Sequence, residues 1–380
     1  MRTLWHSLRP LAARPYRWVC DRLWSYQPPD FPAIWRDQCQ HWYIDTIEKQ
    51  GDRLDIAGWA PFPDELKAHV AWTWNGHPFD RVRRDLPRPD LLEAMPDVPN
   101  TANSGFHATT TIPNDVTFPD RVIEFACIDQ RTGANPGPSY RSQRFLLDNN
   151  DPMPRTQQRV RVINDPSESS FRDGGYRTFC DFETFLRETT GKGYRDHQRI
   201  LDWGCGCGRI TRYFRSFAPS CEIFGADIDP ENIAFCQEHF SFAQFEVLPL
   251  MPPSVFATGM FDLVIGISIF THLSEEVQFA WLDELRRITR PGATLLITFH
   301  GASALLYRRL PESMLRILHR RGIIEFEYGG YDAEVGDPDY YRSTFHTNGY
   351  IMKQWSRYFD IQMIVPCGQS VQDLVVMRRR

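Results

Sequence analysis

The chain has 380 residues, 42% of them hydrophobic and 24% charged, with a formal net charge of −5 at pH 7. That length suffices for two or three domains with their own cores, and the acidic balance excludes the overall basic footprint of a nucleic-acid binder. No run approaches the roughly 18 apolar residues of a membrane span, and nine cysteines without regular spacing fit reduced thiols in a cytoplasmic protein better than a disulfide framework.

Residues 1–38 read as a basic, aromatic arm. Up to Tyr26, five arginines stand against one aspartate, with Leu4, Trp5, Leu8, Leu11, Trp18, Leu23 and Trp24 between them. The segment lacks the apolar core of a signal peptide. Two readings stay open: an arm packed on the body of the protein, or peripheral contact with the inner face of a membrane. Pro10 and Pro15 break any single long helix there.

Residues 40–148 read as an all-β, sandwich-like domain. Leu54, Ile56 and Gly58 alternate, as do Val70, Trp72 and Trp74, and the second run meets Asn75-Gly76, a strong hairpin signal. Eight of the eleven tryptophans precede Gly76. Trp59, Trp72 and Trp74 fall in predicted strands, and alternation puts Trp72 and Trp74 on one face. They could form a platform for sugar rings; the plainer reading is a domain core. A polar, proline-containing linker, 149–160, follows.

From 161 to 380 the pattern is α/β. Strands are predicted at 199–203, 221–226, 243–248, 261–266, 293–299, 359–365 and 371–378, with helices at 208–218, 230–240, 274–289 and 348–358. Such alternation predicts a mostly parallel sheet covered by helices on both faces. The last two strands share a short turn and must pair antiparallel. The segment 301–346 is long for a connection and is expected to serve as a lid.

The first strand of this domain runs into Asp202, Gly204, Gly206 and Gly208 at alternate positions. Glycines suit a turn that a ligand approaches closely, and a helix starting near Arg209 would add free N–H groups. The dinucleotide pattern would need glycine at 209, which is Arg209, and the phosphate loop would need a lysine that is absent. Cys205 and Cys207 lack the spacing and companions of a zinc site, so no metal is expected. Nineteen residues after Gly208, Asp227 ends the second strand, where a carboxylate can accept both hydroxyls of a ribose. Asp229 before Pro230 reads as a helix cap, which leaves Asp227 for the ribose.

These residues carry a resemblance. "RILDWGCGCGR", "FGADIDP", "FDLVIGISIFTHLSEE" and "LDELRRITRPGATLLITFHG" resemble the class I S-adenosylmethionine-dependent methyltransferases. The resemblance covers 160–380. "SIFTHL" and the stretch from "YRSTFHTNGY" to "QDLVV" resemble methyltransferases found with glycosyltransferases in polysaccharide biosynthesis. It implies a seven-stranded Rossmann-like sheet of order 3-2-1-4-5-7-6 with strand 7 antiparallel, and S-adenosyl-L-methionine as cofactor. Asp202 would anchor the donor's amino group, the glycine turn with Cys205 its methionine part, and Ile228 its adenine. Gly266, at the end of the fourth strand, and Ser268 after it complete the implied cofactor set. One departure stands out: no acid or amide follows Glu246, where many members place one near the adenine amine.

A hydroxyl acceptor benefits from a base, and histidine suits that task. His272 follows the fourth strand and is the first candidate; His346, in an aromatic stretch with Tyr340, Tyr341 and Phe345, is the second. His300 ends the fifth strand and could also line the cleft. Gly174-Gly175-Tyr176 come just before the core on a helix that either folds over the cofactor or lies at the edge. Arg286, Arg287 and Arg290 fit a helix C-terminus and do not make a nucleic-acid patch. The expected acceptor is a sugar, nucleotide sugar or glycan, with glycosyltransferases as partners. A non-sugar acceptor, or a non-catalytic donor-binding scaffold, remains open.

Overall fold

A computed structural model describes residues 29, 41–96, 98–118, 121–147, 151–218, 220–327 and 340–380. The predicted arm, 1–38, lies outside the described residues apart from Pro29. No described helix is long and apolar enough to cross a membrane.

The front domain holds two four-stranded antiparallel sheets. One contains β1 (Tyr43–Gln50), β2 (Arg53–Trp59), β5 (Arg81–Leu86) and β6 (Gly105–Thr111); the other contains β3 (Val70–Trp74), β4 (His77–Pro78), β7 (Val122–Asp129) and β8 (Gln143–Leu146). Two short helices, α1 (Asp64–Lys67) and α2 (Pro89–Ala94), fill the connections. Asn75, at φ 44°, and Gly76, at φ 82°, make the tight turn between β3 and β4. Residues of both sheets share one core, in which Trp72 stacks on Phe106 at 4.5 Å between ring centroids. Trp72 and Trp74 are both buried there, so neither offers an open sugar platform. Alternation had placed them on one face, and that face is the core. Trp59 instead stacks on Tyr43 and joins Leu91, Met95, Leu306 and Cys367 in a cluster that ties the front domain to the rest of the chain.

Helix α3 (Thr156–Ile163) begins inside the stretch read as linker, and the long α4 (Glu168–Thr190) follows. Beyond them lies a seven-stranded sheet. Its strands are β9 (Arg199–Trp203), β10 (Glu222–Asp227), β11 (Gln244–Val247), β12 (Phe261–Gly266), β13 (Thr289–Phe299), β16 (Phe359–Gln369) and β17 (Gln372–Arg379). The order is β11-β10-β9-β12-β13-β17-β16, with β17 antiparallel to both neighbours. Counted within the sheet this is 3-2-1-4-5-7-6. β12 is buried along its whole length. Burial on both faces is what a continuous apolar run such as "FDLVIG" encodes.

Helix α5 (Pro230–His239) starts on Asp229, whose side chain accepts from the Glu231 and Asn232 amides, and α6 (Glu275–Ile288) starts on Ser274. The predicted helix 208–218 is instead a turn and a short 3₁₀ segment, Thr211–Ser216. Gly208 has φ +73°, which an α-helix cannot contain, and the Arg212 side chain donates to its carbonyl. After β13, the long connection holds α7 (Glu312–Arg321), β14 (Ile323–Glu327) and β15 (Arg342–His346) as an antiparallel pair. Helix α8 (Asn348–Gln354) leads into β16. The part of the predicted lid at 328–339 lies outside the described residues.

Candidate active site

The parallel strands β9, β10 and β12 end on one edge of the sheet, where open α/β sheets bind ligands. A cavity of about 480 Å³ opens there. That lies within the roughly 300–1,000 Å³ of small-molecule sites. Asp202, Gly204, Cys205, Gly206, Asp227, Ile228, Ser268 and His272 all line it. The sequence thus points to eight residues that the fold gathers from three strand ends.

The glycine turn is backbone in left-handed conformation. Gly204, Gly206 and Gly208 have φ of +74°, +54° and +73°. A Cβ on Gly206 would sit 2.7 Å from Val162 Cγ2, and one on Gly208 would sit 2.6 Å from Phe240. Gly208 is therefore a packing glycine that lets the turn approach Phe240, and it does not line the cavity. Gly266 is likewise behind the wall: a Cβ there would meet Trp203 at 2.8 Å and Ile297 at 2.9 Å.

Asp227 holds the turn in place. Its Oδ2 accepts the Gly206 N–H at 2.8 Å and its Oδ1 accepts the Asp229 N–H at 2.9 Å. Each carboxylate oxygen keeps acceptor capacity beyond one such bond. Asp202 is 2% exposed and accepts from the Thr211 hydroxyl at 2.5 Å. Burial pushes both carboxyls up to about 6. Two carboxylates held in a half-dry cleft suit a ligand that brings positive charge and hydroxyl donors. Burial of Cys205 and Cys207 raises both thiols, Cys207 to about 12, so neither is a reactive thiolate at neutral pH. Among the described residues no group of three or more metal-ligating side chains is assembled.

The opposite wall is apolar. Leu248, Pro249 and Leu250 take the place of the absent acid or amide after β11. The Leu250 carbonyl accepts from Trp281 Nε1 at 3.2 Å and from the Tyr340 hydroxyl at 2.7 Å, which fixes this loop against α6 and the lid. Ser268 stands at φ +60°, an uncommon conformation for a non-glycine residue. Its N–H donates to Thr298 Oγ1, which donates to Gln372 Oε1, and Gln372 Nε2 donates back to Ser268 Oγ. This closed ring of bonds maintains the strained corner at the cavity wall.

His272 lies in the loop between β12 and α6. Its Nδ1 is 3.1 Å from the Arg342 carbonyl. A carbonyl only accepts, so the neutral ring carries its proton on Nδ1 and its lone pair on Nε2. Desolvation lowers its pKa to about 4, which keeps the ring neutral throughout the physiological range. Tyr341 packs edge-on against it at 5.5 Å, and both Tyr340 and Tyr341 line the cavity.

His346 is elsewhere. It is 1% exposed, bonded through Nε2 to Gln278 at 2.9 Å and packed among Phe299, Tyr350 and Trp355. Phe345 is buried too, beside Leu305, Leu318 and Ile324. The reason is the pairing of β15 with β14, which turns the strand's side chains into the core below the cavity. His300 is 4% exposed and also outside the lining.

Several lining residues escape the sequence reading, among them three near the glycine turn. Arg161 and Val162 come from α3, which Arg161 ties to Asp229 at 2.8 Å. Arg209 follows the last glycine directly, and its charge in a buried turn was the available signal.

Residues 200–292 match the family model described as "Methyltransferase domain". Malonyl-acyl-carrier protein O-methyltransferase of Enterobacter lignolyticus is 33% identical over 119 residues, which are 29% of this chain and 42% of that protein. Demethylmenaquinone methyltransferase of Thermus thermophilus is 29% identical over 142 residues, 35% of this chain and 63% of that protein. The chain thus spans less than two thirds of the length of either relative. Among solved structures, the N-methyltransferase NodS of Bradyrhizobium japonicum in complex with S-adenosyl-L-homocysteine aligns at 16% identity over 60% of this chain and 99% of that one, with a TM-score of 0.33. Residues 200–292 are therefore similar to a methyltransferase domain.

Proposed function

We propose that the protein transfers the methyl group of S-adenosylmethionine to a hydroxyl of a sugar, nucleotide sugar or glycan, with His272 taking up the hydroxyl proton. The donor, when bound, supplies an electrophilic methyl on a sulfonium. Asp202, Gly204, Cys205, Gly206, Asp227, Ile228 and Ser268 would hold it, since all line the cavity. The observation that carries the reading is that His272 lines this same cavity beside them.

The remaining work falls to this chain's residues. The Arg342 carbonyl orients the His272 ring with Nε2 as the proton acceptor. Tyr340 and Tyr341 present aromatic surface to the same space. Such faces, with few polar groups, suit the apolar side of a sugar ring. Apolar walls also keep bulk water from the reacting atoms.

A non-sugar acceptor is the second reading. It is favoured by the relatives, whose names state malonyl-acyl-carrier protein and demethylmenaquinone. The test uses donor with a labelled methyl group, mixed with purified protein and fractionated cell extract. Label entering the saccharide pool is the expected result. Label in lipid, protein or non-sugar metabolites would keep the enzyme and overturn the sugar. Donor binding without label in any pool would favour a scaffold.

A further inference from the structure

A second cavity, of about 200 Å³, lies where α4 meets β1 of the front domain and the turn between β16 and β17. Its wall is charged: Arg141, Arg177 and Arg209 face Asp165 and Asp181. Three guanidinium groups against two carboxylates leave an excess of one positive charge. Arg209 borders this cavity and the larger one alike.

Arg209 is 8% exposed, and among the described residues no hydrogen bond or ion pair engages its guanidinium. Desolvation lowers its pKa, opposed chiefly by longer-range attraction from Asp202. A buried cation in that state calls for an anionic partner. The fold makes room for it deliberately. A Cβ on Gly175 would sit 2.8 Å from the Arg209 carbonyl and 3.0 Å from its Cγ, so glycine lets Arg209 pass α4. Gly174 lines the small cavity, and a Cβ there would meet nothing within 4 Å. The Gly174-Gly175 pair thus admits the arginine and leaves the space before it open.

The neighbouring charges fit the same reading. Arg177 donates to Gln143 at 3.1 Å and Arg141 to the Cys367 carbonyl at 3.3 Å, both across the domain boundary. Asp165 accepts the Ser167 N–H at 2.8 Å. Asp181 is half-buried, and desolvation raises its carboxyl to about 6 against the pull of Arg141, Arg177 and Arg144.

We propose that this cavity binds an anionic group of the methyl acceptor, a phosphate or a carboxylate, held by Arg209 and Arg177. The inference rests on the methyltransferase reading and narrows it to an acidic acceptor. The donor's own carboxylate is the other source of the same chemistry, and the experiment separates the two.

The full chain is titrated calorimetrically with inorganic phosphate, alone and saturated with S-adenosylhomocysteine. Phosphate should bind in both states, with an affinity that the second ligand changes less than about threefold. Arg177→Gln and Arg209→Gln should each weaken phosphate binding about tenfold or more, as expected for losing a charged hydrogen bond. Gly174→Leu should do the same by filling the space, without lowering the melting temperature, because leucine is the better helix former. Asp181→Asn should tighten binding, an effect that misfolding cannot mimic. Absence of phosphate binding, its displacement by S-adenosylhomocysteine, or indifference to both Arg177→Gln and Gly174→Leu would each overturn the proposal. Failure of S-adenosylhomocysteine itself to bind would instead remove the methyltransferase reading.

Discussion

The front domain and the C-terminal edge of the seven-stranded sheet are both buried, but they bury different chemistry. In the front domain burial takes rings: Trp42, Trp72, Trp74, Phe106 and Phe125 are exposed by 3% or less. At the sheet edge it takes ionisable groups: Asp202, Arg209, His300, His346 and Asp373 are exposed by 8% or less. Burying a ring contributes stability, roughly 1.5–3 kcal/mol for a large apolar side chain. Burying a charge opposes it. The contrast separates a region shaped for packing from one that buries ionisable groups, of which Asp202 and Arg209 border a cavity.

The sharpest test of that division is His272→Ala. Removal of a general base should lower turnover about 10²–10⁴-fold while S-adenosylhomocysteine affinity stays within about twofold. The acid limb of the wild-type rate should lie near pH 4, because the neutral ring is the active form and its pKa is lowered to about 4. A limb near 6.5, or near-normal turnover of the variant, would remove His272 from the reaction. Trp74→Ala should act in the opposite sense. It should cost about 3–5 kcal/mol in denaturant unfolding, by opening a cavity in the front core, and leave donor affinity unchanged in the folded fraction. A loss of donor affinity there would break the division.

Gly206→Ala falls between the two. The left-handed φ of +54° costs an alanine roughly 1–2 kcal/mol, and its Cβ would press on Val162, itself a wall of the donor cavity. Stability and S-adenosylhomocysteine affinity should therefore fall together, read by thermal melts with and without ligand. An affinity loss without a stability loss would mean that the turn adapts freely.

Much of this was legible in the sequence, and the parts that were not share a cause. β9, β12 and the caps at Asp229 and Ser274 are local signals: continuous apolar runs, a carboxylate before proline, a serine before two glutamates. His272 was legible because strand ends carry ligand-binding loops. His346 misled because its direction depends on β14, where it pairs with Ile323, far back in the chain. Trp72 and Trp74 carried the right face and an open question about what covers it, which only β7 and the facing sheet answer. Arg209 could be read as a charge beside a turn; its position between two cavities depends on α4 and the front domain.

Stability against pH tests the comparison from within the sheet edge, where two kinds of buried group pull in opposite directions. Asp373 is raised to about 6 from 3.8, mainly by desolvation. Between those values the folded state holds a proton that the unfolded state releases, so this group makes stability fall as pH rises from about 4 to 6. His346 is lowered to about 3 from 6.5 by desolvation alone. Over that interval the unfolded state holds the extra proton, so this group makes stability rise with pH up to about 6.5. Each pKa unit corresponds to about 1.4 kcal/mol. Relative to wild type, Asp373→Asn should therefore look better at pH 7 than at pH 4.5, by on the order of 1–2 kcal/mol. His346→Gln, which can still reach Gln278, should look worse at pH 7 than at pH 4.5 by a similar amount. Urea unfolding at the two pH values reads both differences. Equal shifts of one sign would mean that the histidine and the carboxylate are not separately desolvated, and the edge would then behave as a single titrating network.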